Sequence, residues 1–143
     1  MDLTRQPPRS PKSTDVLNCV AVARMADKGR AHLAGTIGEY KYGGDSGLDK
    51  SILGFLGLTP DAFTEGLKAA QDDASLSAWL KDRVKKTDAE IEAFNAQRLG
   101  PPATPEMKAL FEQRKATLAP DRDDLTTLWD LTELDDKQSF GLA

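Results

Sequence analysis

Apolar positions recur every three or four residues through most of the chain, with proline, glycine and capping residues between the runs, so the pattern predicts helices joined by short turns. Pro7, Pro8 and Pro11 exclude a helix before Ser13. Ser13 or Thr14 is placed to cap a first helix, with Asp15 in its favourable first turn and Gly35 as its stop after Ala34. Wound at about 100° per residue, this helix carries Val22, Met25, Ala26, Gly29 and Leu33 along one side, which reads as a core face. A second side starts apolar at Leu17 and Val20 and turns charged at Arg24, Asp27 and Lys28, before Ala31. Gly29 costs about 1 kcal/mol relative to Ala in a helix interior. Its presence points to close approach by another backbone or a ligand.

After Gly35 the period changes. Tyr40 and Tyr42 alternate with Glu39 and Lys41, the period of two of a short strand. Gly43, Gly44, Asp45, Ser46 and Gly47 form a turn. A hairpin alone is marginal, so this one is expected to lie against the first helix. Helical spacing then resumes. Asp49 opens a short helix closed by Gly57, and Thr59-Pro60 opens one bearing Phe63, Leu67 and Ala70. Asp72 or Asp73 starts the helix of Leu76, Trp79, Leu80 and Val84, and Thr87 with Glu90 forms a capping box before Ile91, Phe94 and Leu99. Thr104-Pro105 precedes an apolar stripe of Met107, Leu110, Phe111 and Leu118. A last helix is expected from Asp124 to Leu134. The fold class is therefore mainly α: a single-domain multi-helix bundle with a short β-hairpin or extended segment after the first long helix. Residues 1–13 read as an extended N-terminal arm and 14–143 as one helical domain.

Composition narrows the class without naming a task. A chain of 143 residues, 39% apolar and 29% charged, can bury roughly 70% of its unfolded surface without a metal or disulfide staple. No apolar run approaches the length of a membrane span, and the N-terminus lacks the apolar core of a signal peptide. Cys19 stands alone, so a disulfide framework and a cysteine zinc site are excluded, and a cytoplasmic location follows by default. The net charge of -4 argues against nucleic acid as the partner. Charge is uneven, however. Arg5, Arg9 and Lys12 in the arm outnumber Asp2, whereas residues 119–137 carry Asp121, Asp123, Asp124, Asp130, Glu133, Asp135 and Asp136 against Arg122 and Lys137. Either these ends attract each other or stay solvated, or the arm binds an acidic partner.

Candidate chemistry concentrates between Ala23 and Tyr42. Arg24 lies three residues from Asp27 and four from Lys28, and Lys28 lies four from His32, spacings that put them on neighbouring turns. Together with Arg30 they project towards the segment of Glu39, Tyr40 and Tyr42. Arginine offers a planar fork and lysine a point charge for a carboxylate or phosphate, so the cluster suggests an anion site with Asp27 orienting Arg24 or Lys28. The alternative is an ion-pair ladder, with Asp27 neutralising Arg24 and Glu39 reaching Arg30 or Lys28. His32 is the only histidine and has no metal-ligand spacing, so no metal and no cofactor are expected. Cys19, among apolar residues, reads as a small core residue.

Three blocks, Asp2-Leu-Thr-Arg-Gln-Pro-Pro-Arg-Ser-Pro, Arg24-Met-Ala-Asp-Lys-Gly-Arg-Ala-His-Leu-Ala-Gly and Gly38-Glu-Tyr-Lys-Tyr, carry a resemblance. With Leu48-Asp49, the Trp79 helix and Leu134-Asp-Asp-Lys-Gln-Ser-Phe-Gly, the chain resembles a bacterial family catalogued as domain of unknown function 5069. The resemblance implies a small soluble bacterial protein and supplies no activity or substrate. Members often carry Cys-Pro in the turn before Leu-Asp. Here Gly43 to Gly47 fill that place, which argues against a thiol mechanism there.

The leading functional expectation is a non-catalytic binding or interaction protein. Its site is Arg24, Asp27, Lys28, Arg30, His32, Glu39, Tyr40 and Tyr42, and its ligand an anionic small molecule or acidic peptide. A second expectation is an enzyme on a small anionic substrate, with His32 or Glu39 as acid/base. A third is a structural homo-oligomer subunit whose charges are internal.

Overall fold

The computed structural model describes residues 1–142. The described residues form seven α-helices and no strand: α1 Val22–Ala34, α2 Gly47–Leu56, α3 Pro60–Ala69, α4 Asp73–Lys81, α5 Asp88–Leu99, α6 Pro105–Leu118 and α7 Leu128–Ser139. Local chemistry accounts for most of their starts. Thr59, Asp72, Thr87 and Thr104 each accept a backbone N–H from the first turn of the helix they precede, and Pro60 and Pro105 follow two of these caps. Thr87 and Glu90 close a capping box, as do Thr127 and Asp130 at α7. That second box puts the start of the last helix at Leu128, later than the expected Asp124.

The core is one cluster in which Phe63, Met25, Ile52, Leu76 and Leu80 are fully buried. α1 lies at its centre, and every residue from Val22 to Gly29 is buried. The expected core position Leu33 is instead 45% exposed. Gly29 does mark a close approach, but by side chains: a Cβ there would stand 2.2 Å from Leu67 Cδ1 and 2.9 Å from the Tyr42 ring.

Two expectations are corrected. The first helix begins at Val22, not at Ser13, because Leu17, Asn18 and Ala21 adopt left-handed backbone with φ of 60°, 53° and 67°. Distant partners hold this turn-rich segment. Leu17 N–H donates to Ser77 Oγ at 3.0 Å, Val20 N–H donates to Asn95 Oδ1 at 3.0 Å, and Asn95 Nδ2 donates back to Asn18 O at 2.8 Å. Val16, Leu17, Cys19 and Val20 are all buried, and a short apolar run buried all round has the same pattern whether helical or not. The hairpin is also absent among the described residues. Residues 36–42 run without a ladder partner, and the two tyrosines, which a strand would put on one face, reach different elements: Tyr40 Oη donates to Asp136 Oδ1 on α7, while Tyr42 Oη shares a hydrogen bond with Thr64 Oγ1 on α3. A 3-10 turn at Gly43–Asp45 then leads into α2, which Ser46 caps.

Candidate functional site: the charged face of α1 and the cleft beside it

Each charged side chain near the middle of α1 reaches a different element. Arg24 Nη1 lies 2.7 Å from Asp136 Oδ2 on α7 and also donates to Arg9 O at 3.2 Å. Asp27 accepts from the backbone N–H of Arg9 at 2.8 Å, from its Nε at 3.1 Å and from its Nη2 at 3.1 Å. Lys28 Nζ lies 2.8 Å from Asp49 Oδ1 on α2, and the other carboxylate oxygen of Asp49 accepts from Gly43 N–H at 2.9 Å. Arg30 Nη1 donates to Asp73 Oδ1 on α4 at 3.2 Å, where Arg9 Nη1 also pairs at 2.7 Å. Arg24, Asp27, Lys28, Asp49 and Asp136 are buried. One helix thus ties the N-terminal arm, α2, α4 and α7 through ion pairs, closed to solvent at α2 and α7 and partly open at the arm and α4.

Burial sets the electrostatics. It pulls Lys28 below its ordinary range, against the opposing pull of Asp49. Arg9 is raised, first by its hydrogen bond to Asp73, and the same bond lowers Asp73. A buried pair stabilises little by comparison with an apolar replacement, but removing one partner strands a charge. These contacts therefore specify which elements dock on α1.

The structure places the eight candidate residues in two groups. Arg24, Asp27, Lys28 and Arg30 are joined to internal partners, and Asp27 pairs with Arg9 rather than with Arg24. The Nε and Nη2 atoms of Arg30 have no partner among the described residues, yet both are shielded from solvent. His32 is exposed, its ring 5.6 Å from that of Tyr42 and tilted by 34°. No hydrogen bond from His32 or Glu39 to another titratable group is formed among the described residues, so neither has the orienting partner of an activated base. Glu39, which takes no part in the ion pairs, and Tyr40, which touches the Arg24–Asp136 pair through its hydroxyl and ring, line an open cleft.

That cleft, of about 550 Å³, lies between the arm, the 38–40 segment and the end of α7. Leu3 and Thr4 border it on one side, Glu39 and Tyr40 on another, and Asp135 and Phe140 on the third. The Tyr40 and Phe140 rings are nearly parallel, at 5° with centroids 6.5 Å apart. Tyr40 is held from behind by its bond to Asp136 and by the Arg24 guanidinium, 5.6 Å from the ring centroid. Burial, then the Asp136 carboxylate, raises the Tyr40 phenol well above its usual range, so it stays a protonated donor. The Arg24–Asp136 pair consequently holds Tyr40, part of one wall of the cleft, from behind.

Sequence reasoning missed Arg9, Asp49, Asp73 and Asp136 as partners. A signal for Arg9 and Asp136 existed in the opposed charges of the two ends. Lys12 Nζ is 2.5 Å from Asp130 Oδ1 and 2.6 Å from Glu133 Oε1, so the basic arm and the acidic tail pair within the chain. No group of three or more His, Cys, Asp or Glu residues able to hold a metal ion occurs among the described residues. Cys19 is buried in the core, and burial pushes its thiol up to about 11. No described helix is long and apolar enough to cross a membrane.

Residues 5–138 match a family described as Domain of unknown function (DUF5069). No curated protein matches the chain.

Proposed function

The chain belongs to the DUF5069 family, whose match spans nearly its whole length, and from the geometry above we propose that it is a non-catalytic binding protein whose site is the cleft at Tyr40. The ion-paired face of α1 is its rigid scaffold. The observation that carries this reading is the way Arg24, Asp136 and Tyr40 fix one wall of a 550 Å³ cleft from the protein interior. Cavities of roughly 300–1,000 Å³ are of the size that takes small ligands, and a pre-formed wall lowers the cost of ordering on binding. An anion seated on Arg24 or Lys28 would have to displace Asp136 or Asp49 from a buried contact. The cleft demands no such displacement.

A panel of neutral, anionic and cationic small molecules, screened by saturation-transfer NMR, tests the reading. Binders should be lost in Phe140→Ala and kept in His32→Ala. Binders kept in Phe140→Ala but lost in His32→Ala would move the site off the cleft.

A second reading, a structural homo-oligomer subunit, is favoured by one observation. Leu99, Met107 and Leu110 expose 38–43% of their surfaces near the α5–α6 turn. Sedimentation of the wild type and of Leu110→Glu separates the two, because only an oligomer through this face would dissociate.

A further inference from the structure

We propose that a second cavity, beside the turn that joins α5 to α6, binds a small carboxylate with an apolar body. It measures about 240 Å³ and shares no lining residue with the Tyr40 cleft. Trp129 lines it. This residue is only 7% exposed, yet its indole N–H donates no hydrogen bond among the described residues. The solvent-shielded side-chain atoms that lack a partner are both on Arg30. The indole N–H therefore meets solvent, and the opening that Trp129 borders is this cavity. A donor held so deep and left unpaired calls for an acceptor from outside the chain.

Charge selects that acceptor. No acid lines the cavity, and its one cation is Arg98. The Arg98 guanidinium donates to Ser51 Oγ and lies 4.9 Å from the Phe94 ring centroid, and it has no acid partner among the described residues. A hydroxyl leaves its charge uncompensated, so an anionic oxygen gains from Arg98 as well as from the indole. Leu128 and Trp129 are also the first two residues of α7, where amides have no acceptor within the helix and the helix end is positive. Asp130 takes up the Thr126 and Thr127 amides there, not these two. Pro101, Pro102, Met107 and Leu128 supply apolar wall. A bare inorganic anion would leave that wall unused, and a neutral apolar molecule would leave Arg98 unanswered. The volume lies below that of most drug-sized pockets, so the apolar body is a single ring or a short chain.

The readout is the pair of indole N–H resonances, which only Trp79 and Trp129 supply. Phenylacetate, phenylacetamide and 2-phenylethylamine are each titrated into the full-length protein by ¹H–¹⁵N NMR. Phenylacetate should shift the Trp129 indole and leave that of Trp79 in place, with an affinity that falls as salt rises. The amide and the amine should bind at least about tenfold more weakly. Arg98→Gln should weaken phenylacetate by a similar factor, whereas Phe140→Ala should leave its affinity unchanged. If the amide or the amine binds as tightly, or if Arg98→Gln changes nothing, the carboxylate assignment is overturned. A loss of affinity in Phe140→Ala would move phenylacetate to the Tyr40 cleft and overturn the second site. If phenylacetate binds without moving the Trp129 indole, or does not bind at all, the second site falls while the Tyr40 cleft stands on its own test. The three wild-type titrations decide the matter even if Arg98→Gln fails to fold.

Discussion

Arg24 and Asp136, 112 residues apart in the chain, face each other across 2.7 Å with 6% and 10% of their side chains exposed. The contact joins α1 to α7 and passes through Asp136 to the Tyr40 hydroxyl. Asp136→Asn leaves the Arg24 charge buried without its counterion and should cost about 3–5 kcal/mol in urea unfolding. Arg24→Met with Asp136→Leu removes both charges and should cost distinctly less than Asp136→Asn alone. If the double variant is the worse of the two, the pair contributes net stability and its role is more than specification.

Gly29 gives a test of packing against propensity. Gly29→Ala gains about 1 kcal/mol of helix propensity. The new Cβ, however, would sit 2.2 Å from Leu67 Cδ1 and against the Tyr42 ring, and overpacking of this kind costs about 1–3 kcal/mol. Thermal melts should show a net loss, and adding Leu67→Ala should cost less on the Gly29→Ala background than on the wild type, because the clash is relieved. A gain in stability on Gly29→Ala alone would mean that Leu67 and Tyr42 yield freely.

Much of this fold is legible locally. Thr59-Pro60, Thr104-Pro105 and the Thr87–Glu90 box announce their helices because a cap and its partner lie within one turn. Residues 13–21 are illegible for the opposite reason: Ser77 and Asn95, 60 and 75 residues away, replace the helical bonds that an apolar run would otherwise make. The same division holds at the site. Arg24 and Lys28 stand out on α1 by their spacing, but Asp136 and Asp49 find them only through the tertiary fold. Glu39 and Tyr40 were visible as candidates, while Asp135 and Phe140, which complete the cleft, arrive from the far end of the chain.

The two tyrosines supply a spectroscopic check. Both phenols are raised, chiefly by burial, with the Asp136 carboxylate adding to the effect at Tyr40. A raised phenol adds stability that is complete below the unfolded value near 10 and is lost as pH rises through the folded value. Tyrosinate absorbance at 295 nm in the native protein should therefore rise well above pH 10, and near pH 10 in denaturant. A native phenol ionising at its ordinary pH would contradict the enclosure of Tyr40 and Tyr42.

Acid stability should report the arm. At Asp130 burial acts to raise the carboxyl, but hydrogen bonds from Lys12 and from the backbone of Thr126 and Thr127 outweigh it and hold the group at about 2. Its contribution is then present above the ordinary carboxyl value of 3.8 and is lost as pH falls towards about 2. The stability difference between the wild type and Asp130→Asn should be full above pH 4 and shrink as pH approaches 2. A difference constant across that range would show that Lys12 and the Thr126 and Thr127 amides do not hold the carboxylate in solution.

In the proposed function the charged face of α1 is a scaffold and a ligand enters at the neighbouring cleft. A complete ¹H–¹⁵N shift map, recorded with the strongest binder from the small-molecule panel, tests this most directly. The predicted result is a contiguous set of perturbed amides at Thr4, Glu39, Tyr40, Asp135 and Phe140, with Lys28 and Asp49 unmoved. Perturbations centred on Lys28, Asp49 and Gly43, with the cleft silent, would contradict it.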